Sequence, residues 1–133
     1  MAISFILDSD VLIDLFAGRE PAGMVVPSLL EMDRAGTTAV TVYELDSGAA
    51  RSRDRRGRGE FLATLRFFPW TPNRHGMPGL WTCLRSKGQA INPGDHLIAG
   101  ICLAHDKVSV TRNVIHFQRV ADLRVVTLEE LSG

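Results

Sequence analysis

The chain has 133 residues, of which 45% are hydrophobic and 23% are charged. A domain usually has roughly 100–150 residues, and a chain of this size can fold without disulfides or a structural metal. The composition excludes collagen-like, coiled-coil and disordered chains, and the length excludes a multidomain enzyme. We therefore expect residues 1–133 to form one domain.

The formal net charge is zero, but the charge is unevenly distributed along the chain. Residues 1–50 carry eight acids and two bases, and residues 51–133 carry seven acids and thirteen bases. Neutrality overall argues against indiscriminate binding to nucleic acid. The uneven distribution is compatible with a local acidic site beside a local basic surface.

The cysteines and the N-terminus indicate the compartment. Cys83 and Cys102 lack the spacing of a metal site, so we expect buried, reduced thiols. No basic region precedes the first apolar run, and Asp8 interrupts that run, which argues against a signal peptide. No uncharged apolar stretch approaches the ~20 residues of a membrane helix. The sequence therefore predicts a cytoplasmic protein without membrane contact.

The first fifty residues alternate short strand-like runs with helical segments. We expect Ser9 or Asp10 to cap the first helix and Gly36 to end the second. The predicted elements are a strand at Ile3–Leu7, a helix over Val11–Phe16, a helix from Pro27 to Ala35, a strand at Thr37–Val40 and a helix from Thr41 toward Ala50.

The rest of the chain continues this alternation. Asn92-Pro93 is typical of a helix start, and Gly94–His105 is apolar on nearly every side, so this helix should be buried. The other predicted elements are a loop or fraying helix end at Arg51–Gly59, a short strand at Phe67–Trp70, a loop at Pro72–Gly79, a helix at Leu80–Ser86, strands at Val108–Thr111 and Arg124–Thr127, and a helix or turn at Asn113–Val120.

Alternating strands and helices predict a three-layer α/β/α sandwich with a central, mainly parallel sheet. Ligands of such sheets bind outside the carboxyl ends of the strands. Asp8, the Thr41–Glu44 turn and Arg112-Asn113 each follow a predicted strand, and Asp95 lies in the first turn of the buried helix. We expect these residues to converge on one edge.

Asp8, Glu44 and Asp95 form the candidate constellation. Clustered carboxylates repel one another unless a cation lies between them. Oxygen ligands without a neighbouring His or Cys suit Mg²⁺ or Mn²⁺. Such an ion can activate a water molecule and stabilise negative charge on a phosphodiester.

Each acid also has a structural alternative. Thr41-Val-Tyr-Glu44 fits a capping box, in which Glu44 reaches back to the helix start. Asp95 lies three residues after Asn92, where an acid favours the helix dipole, and Asp8 or Asp10 could be a helix cap. One residue can be both a helix cap and a metal ligand. The location of all three acids at the same edge of the predicted sheet favours a metal site.

Four segments together resemble PIN-domain ribonucleases. They are Phe5-Ile-Leu-Asp8-Ser-Asp10-Val-Leu-Ile, Thr41-Val-Tyr-Glu44-Leu, Asn92-Pro-Gly-Asp95-His-Leu-Ile-Ala99 and Val110-Thr-Arg-Asn113-Val-Ile-His-Phe117. Their order, their spacing and the chain length most resemble the VapC-like toxins of bacterial type II toxin–antitoxin pairs, and the resemblance covers nearly the whole chain.

This resemblance implies a Mg²⁺- or Mn²⁺-dependent endoribonuclease that forms homodimers and is inhibited by a small cognate antitoxin. By position, Asp8 and Asp95 would be the principal metal ligands, and Glu44 a further acidic member of the catalytic set. The fourth catalytic position is often Asp in the family, whereas it is Asn113 here. A neutral amide adds no charge, so we expect one well-bound ion and a weak or absent second one.

Other features allow two interpretations. The arginine stretch (Arg51, Arg53, Arg55, Arg56 and Arg58) could contact RNA phosphates, the antitoxin or only solvent. Trp70 and Trp81 could stack on bases, although core or interface packing is the commoner role. We expect an apolar groove for the antitoxin near Phe61–Trp70, Leu80 and Trp81.

Other functional classes fit these motifs less well. A haloacid-dehalogenase-type phosphatase would use Asp8 as nucleophile and Asp10 as acid–base, but the lysine and the later acidic motif that it needs are not suitably spaced. A signalling receiver domain lacks its late lysine, and a dinucleotide-binding module lacks its glycine turn. A non-catalytic PIN-like binding module also stays open.

Overall fold

A computed structural model describes residues 4–48, 55–70 and 93–132. At its centre is a five-stranded sheet with the order β3-β2-β1-β4-β5, in which every neighbouring pair is parallel. The strands are β1 (Phe5–Leu7), β2 (Ala35–Thr37), β3 (Arg66–Phe67), β4 (Val108–Val110) and β5 (Val125–Val126).

Helices connect the strands and cover both faces of the sheet. They are α1 (Ser9–Phe16), α2 (Ala22–Glu31), α3 (Ala39–Gly48), α4 (Arg55–Ala63), α5 (Pro93–His105), α6 (Val114–Phe117) and α7 (Leu128–Ser132). Within these described ranges, no helix is both long and apolar enough to cross a membrane.

Two hydrophobic clusters lie on opposite faces of the sheet. Phe5 and Leu7 belong to the cluster that includes the buried residues of α1 and α2, whereas Ile6 belongs to the one that includes the buried residues of α5. Successive side chains of a strand point to opposite faces, which explains this division. The predicted α/β/α sandwich with a parallel sheet is therefore confirmed.

The predicted start of the second helix is wrong. Helix α2 begins at Ala22 and ends at Glu31, with Pro27 inside it. Its buried residues are Ala22, Val25, Val26 and Leu29. This spacing marks one helix face that begins before the proline. The predicted stop, Gly36, lies instead inside β2, where an added Cβ would overlap the Phe68 ring.

The structure distinguishes between the predicted helix caps. Asp8, one of the caps suggested by the sequence, is the N-cap of α1, whereas Ser9 and Asp10 lie inside the helix. Asp8 Oδ1 accepts a hydrogen bond from Ser9 N at 2.8 Å. Helix α3 begins at Ala39, two residues before the predicted Thr41, and Thr38 Oγ1 accepts from Thr41 N at 3.2 Å. The predicted capping box between Thr41 and Glu44 is therefore wrong.

Two helices were only partly predicted or not predicted at all. The segment Arg51–Gly59 was predicted as a loop or a fraying helix end, and from Arg55 onward it belongs to α4. Leu62 and Leu65 are buried in the core, and Phe61 packs edge-on against Phe16. Helix α7 was not predicted; Thr127 Oγ1 accepts from Glu130 N in its first turn. The predicted loop at Pro72–Gly79 and helix at Leu80–Ser86 lie outside the described residues.

The remaining predictions agree with the structure apart from their ends. Helix α5 begins at Pro93, and seven of its residues are buried, as its apolar composition predicts. The strands are shorter than predicted by one or two residues, and Val40, Trp70 and Thr111 fall outside them. One of these displaced residues, Thr111, lies with Asp8 at the edge described next.

Candidate active site

Two adjacent central strands bring the candidate acids together. Asp8 directly follows β1, and Thr111 directly follows β4, which pairs with β1 in parallel. The pairing continues for one residue beyond β1, because Asp8 N donates to Val110 O at 3.0 Å. Asp8 is only 4% exposed and Asp95, in the first turn of α5, is 6% exposed.

A single hydroxyl group joins the acids that follow β1 to the end of β4. Thr111 Oγ1 donates to Asp8 Oδ2 at 2.8 Å and lies 3.3 Å from Asp10 Oδ2. It also accepts from Asn113 N at 3.0 Å. Asp10 Oδ2 is held further by Arg112 N at 3.0 Å. Thr111 is not among the predicted site residues, although its position at the end of the strand predicted at Val108–Thr111 was an available signal.

Asn113 lies beside Asp95 rather than acting as a side-chain helix cap. It is the N-cap residue of α6, but its side chain makes no capping hydrogen bond. Its Nδ2 lies 3.1 Å from Asp95 Oδ2 and 2.9 Å from His116 Nδ1. The structure thus brings Asn113 to the acidic cluster, and it adds His116, whose i+3 spacing from Asn113 on α6 was the available signal.

Glu44 lies at the exposed rim of the cluster. It occupies the second turn of α3, and the hydroxyl of Thr38 accepts the hydrogen bond from Thr41 N that starts this helix. Partial burial of its carboxyl group raises the pKa of Glu44, and the charges of Asp8, Asp95 and Asp10 raise it further. Its carboxylate therefore shares the field of the buried acids.

Burial and mutual repulsion make the charged form of these acids less favourable. Burial raises the pKa of Asp8 and of Asp95, and the nearby charge of another acid raises each further. Burial, followed by the charge of Asp8, raises the pKa of Asp10 to about 6. Hydrogen bonds from Thr111 and Ser9 oppose the rise in the pKa of Asp8. At Asp95 the rise is opposed mainly by the nearby His116 and, to a smaller extent, by the amide of Asn113.

The donor set fits a hard divalent cation. Each oxygen of Asp8 accepts one hydrogen bond, which leaves further lone pairs, and Asp10 Oδ1 is buried without a hydrogen-bond partner among the described residues. In those same residues, no three acidic, histidine or cysteine side chains form a ready-made metal cage. Mg²⁺ commonly binds one or two carboxylates and keeps several waters, so Asp8 and Asp95 suit it.

Other charged and histidine side chains make contacts outside this centre. Asp14 pairs with Arg19 and with Arg112, in each case at 3.2 Å. The guanidinium of Arg58 stacks over the Phe16 ring at 5.1 Å from its centroid, so this arginine also has a packing role. His105 Nε2 contacts Pro69 O at 2.8 Å, which agrees with a structural role.

Comparison with known proteins agrees with this arrangement. The family model of the PIN domain matches residues 5–123. No curated protein matches the chain. Among solved structures, a chain of the DNA-bound VapBC complex from Salmonella typhimurium is similar, with a TM-score of 0.80 and 23% identity over 96% of this chain and 99% of that one.

Two further structures share the fold. VapBC2 from Rickettsia felis, bound to a DNA fragment from its promoter, has a TM-score of 0.79 and 20% identity over 94% of this chain and 98% of that one. A toxin–antitoxin complex from Klebsiella pneumoniae has a TM-score of 0.70 and 24% identity over the same shares. The family match spans β1 to the turn before β5 and includes all four candidate site residues. The chain therefore belongs to the PIN-domain family.

Proposed function

We propose that this protein is a Mg²⁺- or Mn²⁺-dependent endoribonuclease that acts as the toxin of a type II toxin–antitoxin pair in the cytoplasm. The observation that carries the proposal is the position of Asp8 after β1 and of Asp95 in the first turn of α5, at the carboxyl edge of a PIN-domain sheet, where the charges of both raise the pKa of Glu44 at the rim. Residues 1–133 would form one nuclease domain.

The roles of the residues follow from their contacts. Asp8 and Asp95 would hold the cation, with Glu44 as an additional ligand from the rim. When bound, the cation supplies a Lewis acid that stabilises negative charge on the phosphodiester and lowers the pKa of a water molecule. Thr111 fixes the orientation of Asp8 through its hydroxyl, and Asn113 fixes that of Asp95 through its amide. These contacts reduce the reorganisation that binding a phosphodiester would require.

An apolar groove supports the proposal of an antitoxin partner. It has a volume of about 570 Å³, lies between α3 and α4, and is lined by residues that include Val42, Leu62 and Phe67. Tyr43 and Phe67 are 73% and 47% exposed, which is unusual for such large side chains. An amphipathic segment of the antitoxin would bury them, and a basic group on it could reach the nearby acids. The solved VapBC and toxin–antitoxin complexes of the same fold are consistent with such a partner.

The catalytic proposal is tested with two substrates. The purified protein is incubated with a labelled single-stranded RNA and with p-nitrophenyl phosphate, in EDTA and after addition of Mg²⁺ or Mn²⁺. We expect metal-dependent cleavage of the RNA and no hydrolysis of the phosphomonoester. Metal-dependent hydrolysis of the phosphomonoester alone would indicate a haloacid-dehalogenase-type phosphatase instead, and inactivity on both substrates would indicate a non-catalytic binding module.

The partner proposal is tested by co-expression with the antitoxin-sized protein expected to be encoded directly upstream. We expect a complex whose ribonuclease activity is inhibited, and a homodimer by light scattering when the protein is alone at micromolar concentration. Phe67→Glu should weaken the complex without reducing RNA cleavage, because Phe67 lines the groove and takes part in none of the hydrogen bonds described for the acidic cluster. Equal binding by Phe67→Glu and the parent would place the partner elsewhere.

A further inference from the structure

Three polar side chains form a compact unit at one side of the acidic cluster. The amide nitrogen of Asn113 lies between Asp95 Oδ2 and His116 Nδ1, at 3.1 Å and 2.9 Å. His116 Nδ1 and Asp95 Oδ2 are themselves 3.7 Å apart, which exceeds a hydrogen bond. Asn113 is therefore the link between the imidazole ring and the carboxylate.

The two hydrogens of the Asn113 amide nitrogen determine which groups donate and which accept in this link. A side-chain amide nitrogen carries two hydrogens and accepts none. One hydrogen of Asn113 is donated to Asp95, so the other is available to His116 Nδ1, which must then accept. A ring that accepts at Nδ1 carries its proton on Nε2. The geometry therefore assigns His116 the Nε2–H tautomer.

The two alternatives both create a repulsive contact. With a proton on Nδ1, the ring would direct its N–H at the amide of Asn113, which is also a donor. With the amide turned over, its carbonyl oxygen would face the carboxylate of Asp95. With Asp95 ionised, as a carboxylate that binds a cation must be, neither arrangement satisfies all three groups, whereas the Nε2–H tautomer does.

We propose that His116 is a positioning residue that acts through Asn113 on Asp95. The imidazole accepts one amide hydrogen and thereby prevents the amide from turning, so that its second hydrogen stays on Asp95 Oδ2 and fixes the carboxylate for the cation. This inference rests on the proposed metal-dependent function, and it assigns a specific partner to the Asn113 position. An aspartate at that position could not donate a hydrogen bond to Asp95, so the role of His116 depends on the asparagine present in this chain.

Two substitutions distinguish the roles of the two ring nitrogens of His116. His116→Asn places a side-chain oxygen near the position of Nδ1, where it can accept from Asn113, and removes Nε2. His116→Gln extends its polar group toward the position of Nε2 and leaves the Nδ1 position without an acceptor. His116→Ala removes both ring nitrogens. The side chain of His116 is 42% exposed, so all three variants should fold.

The first measurement is the tautomer of His116 in the metal-free protein, by two-bond ¹H–¹⁵N correlation spectroscopy. We expect the Nε2–H form in the parent protein, and loss of that preference in Asn113→Ala, because the donor to Nδ1 is then absent. A proton on Nδ1 in the parent, or a pattern unchanged in Asn113→Ala, would overturn the proposal.

The second measurement is Mn²⁺ affinity, followed by the electron paramagnetic resonance of free Mn²⁺. Loss of a group that orients a metal ligand commonly costs roughly 10–100-fold in affinity. We expect a loss of about tenfold in His116→Ala and His116→Gln, and affinity within about threefold of the parent in His116→Asn. Parental affinity in His116→Ala, or no rescue by His116→Asn, would overturn the proposal.

The two measurements also separate this inference from the function on which it rests. If the parent protein binds no Mn²⁺ and cleaves no RNA, the proposed function is wrong, and so is the role of His116 toward a cation. If the parent binds Mn²⁺ and the four proteins do not differ, the function stands and the inference is wrong.

Discussion

Thr111 shows how much of the candidate site depends on one side chain. Its hydroxyl donates to Asp8 Oδ2 while it accepts from Asn113 N, so it connects the segment after β1 with the segment after β4. Asp8 and Thr111 are 103 residues apart in the sequence. Thr111 is fully buried, so water cannot replace a lost hydrogen bond easily.

Replacing Thr111 with Val tests this role with almost no change in volume. The variant keeps the buried shape but leaves Asp8 Oδ2 and Asn113 N without their partner, so we expect a loss of roughly 10–100-fold in the rate of RNA cleavage and in Mn²⁺ affinity. Thr111→Ser keeps the hydroxyl and should retain most of both. A Thr111→Val variant with parental rate and affinity would show that Asp8 is oriented without it.

The raised pKa of Asp10 has a consequence for stability. The folded protein holds this proton more tightly than the unfolded chain does, because the pKa rises from its ordinary value to about 6 on folding. This contribution to the free energy of unfolding is full below the ordinary pKa and is lost as pH rises through about 6. The raised values at Asp8 and Asp95 act in the same direction.

We therefore expect the metal-free protein to lose stability between about pH 4 and pH 7 at this site. Urea unfolding across that range should show a weaker decrease in Asp10→Asn, because the amide does not ionise. The difference attributable to Asp10 should be at most about 3 kcal/mol. An identical pH dependence in the parent and in Asp10→Asn would mean that Asp10 titrates normally in the folded protein.

Sequence reasoning located the acids but not the groups that hold them. Asp8, Glu44 and Asp95 could be placed because each follows a strand or starts a buried helix, and the parallel sheet brings such positions to one edge. The hydrogen bonds of Thr111 and His116 depend on the register between β1 and β4 and on the rotation of α6 against α5. The positions of Thr111 and His116 in the sequence indicate only that they lie near the candidate residues. The register and the helix rotation are not encoded in local spacing, so the hydrogen bonds themselves could not be predicted.

At the scale of the elements, packing determines the ends of helices and strands where local propensity is ambiguous. Strand β2 was predicted at Thr37–Val40 and is found at Ala35–Thr37. The shift follows from Gly36, which pairs with Ile6 on one side and with Arg66 on the other. A glycine before a β-branched run is typical of a helix end, but here it allows the Phe68 ring to approach the backbone closely.

Gly36→Ala should destabilise the protein for this reason. The new Cβ would overlap the Phe68 ring and lie 2.9 Å from Arg66 O, which is backbone and cannot move freely. We expect a loss of about 1–3 kcal/mol in the free energy of unfolding, measured with urea.

Gly59→Ala is the matched control for Gly36→Ala. Gly59 lies in α4 with nothing within 4 Å of its added Cβ, so the same substitution should stabilise that helix by roughly 0.5–1 kcal/mol. Equal effects of the two substitutions on stability would contradict the close packing assigned to β2 and Phe68.

At the scale of the whole molecule, the parallel connection of the strands explains why the acidic residues lie at one edge of the sheet. Crossovers return each strand in the same direction, so segments distant in sequence place their polar ends at one edge. Asp8 and Asp10 follow β1, Asn113 follows β4, and Asp95 begins α5. The apolar groove lies between α3 and α4, and α3 also carries Glu44. One helix therefore connects the proposed partner surface with the proposed catalytic edge.

The central claim is that Asp8 and Asp95 hold the cation that RNA cleavage requires. The most direct test measures Mn²⁺ binding and RNA cleavage together for the parent, Asp8→Asn, Asp95→Asn and a control, Asp122→Asn. Asp122 is exposed, lies in the turn before β5 and has a φ of 66°, a conformation that asparagine tolerates well. The control should therefore fold and behave like the parent.

We predict that Asp8→Asn and Asp95→Asn each lose cleavage by at least about 100-fold and bind Mn²⁺ more weakly, because a ligand charge is removed while the side-chain shape is kept. Circular dichroism should show that both variants remain folded. If either variant cleaved RNA at the parental rate with parental Mn²⁺ affinity, while Asp122→Asn behaved as expected, the assignment of that residue as a metal ligand would be contradicted.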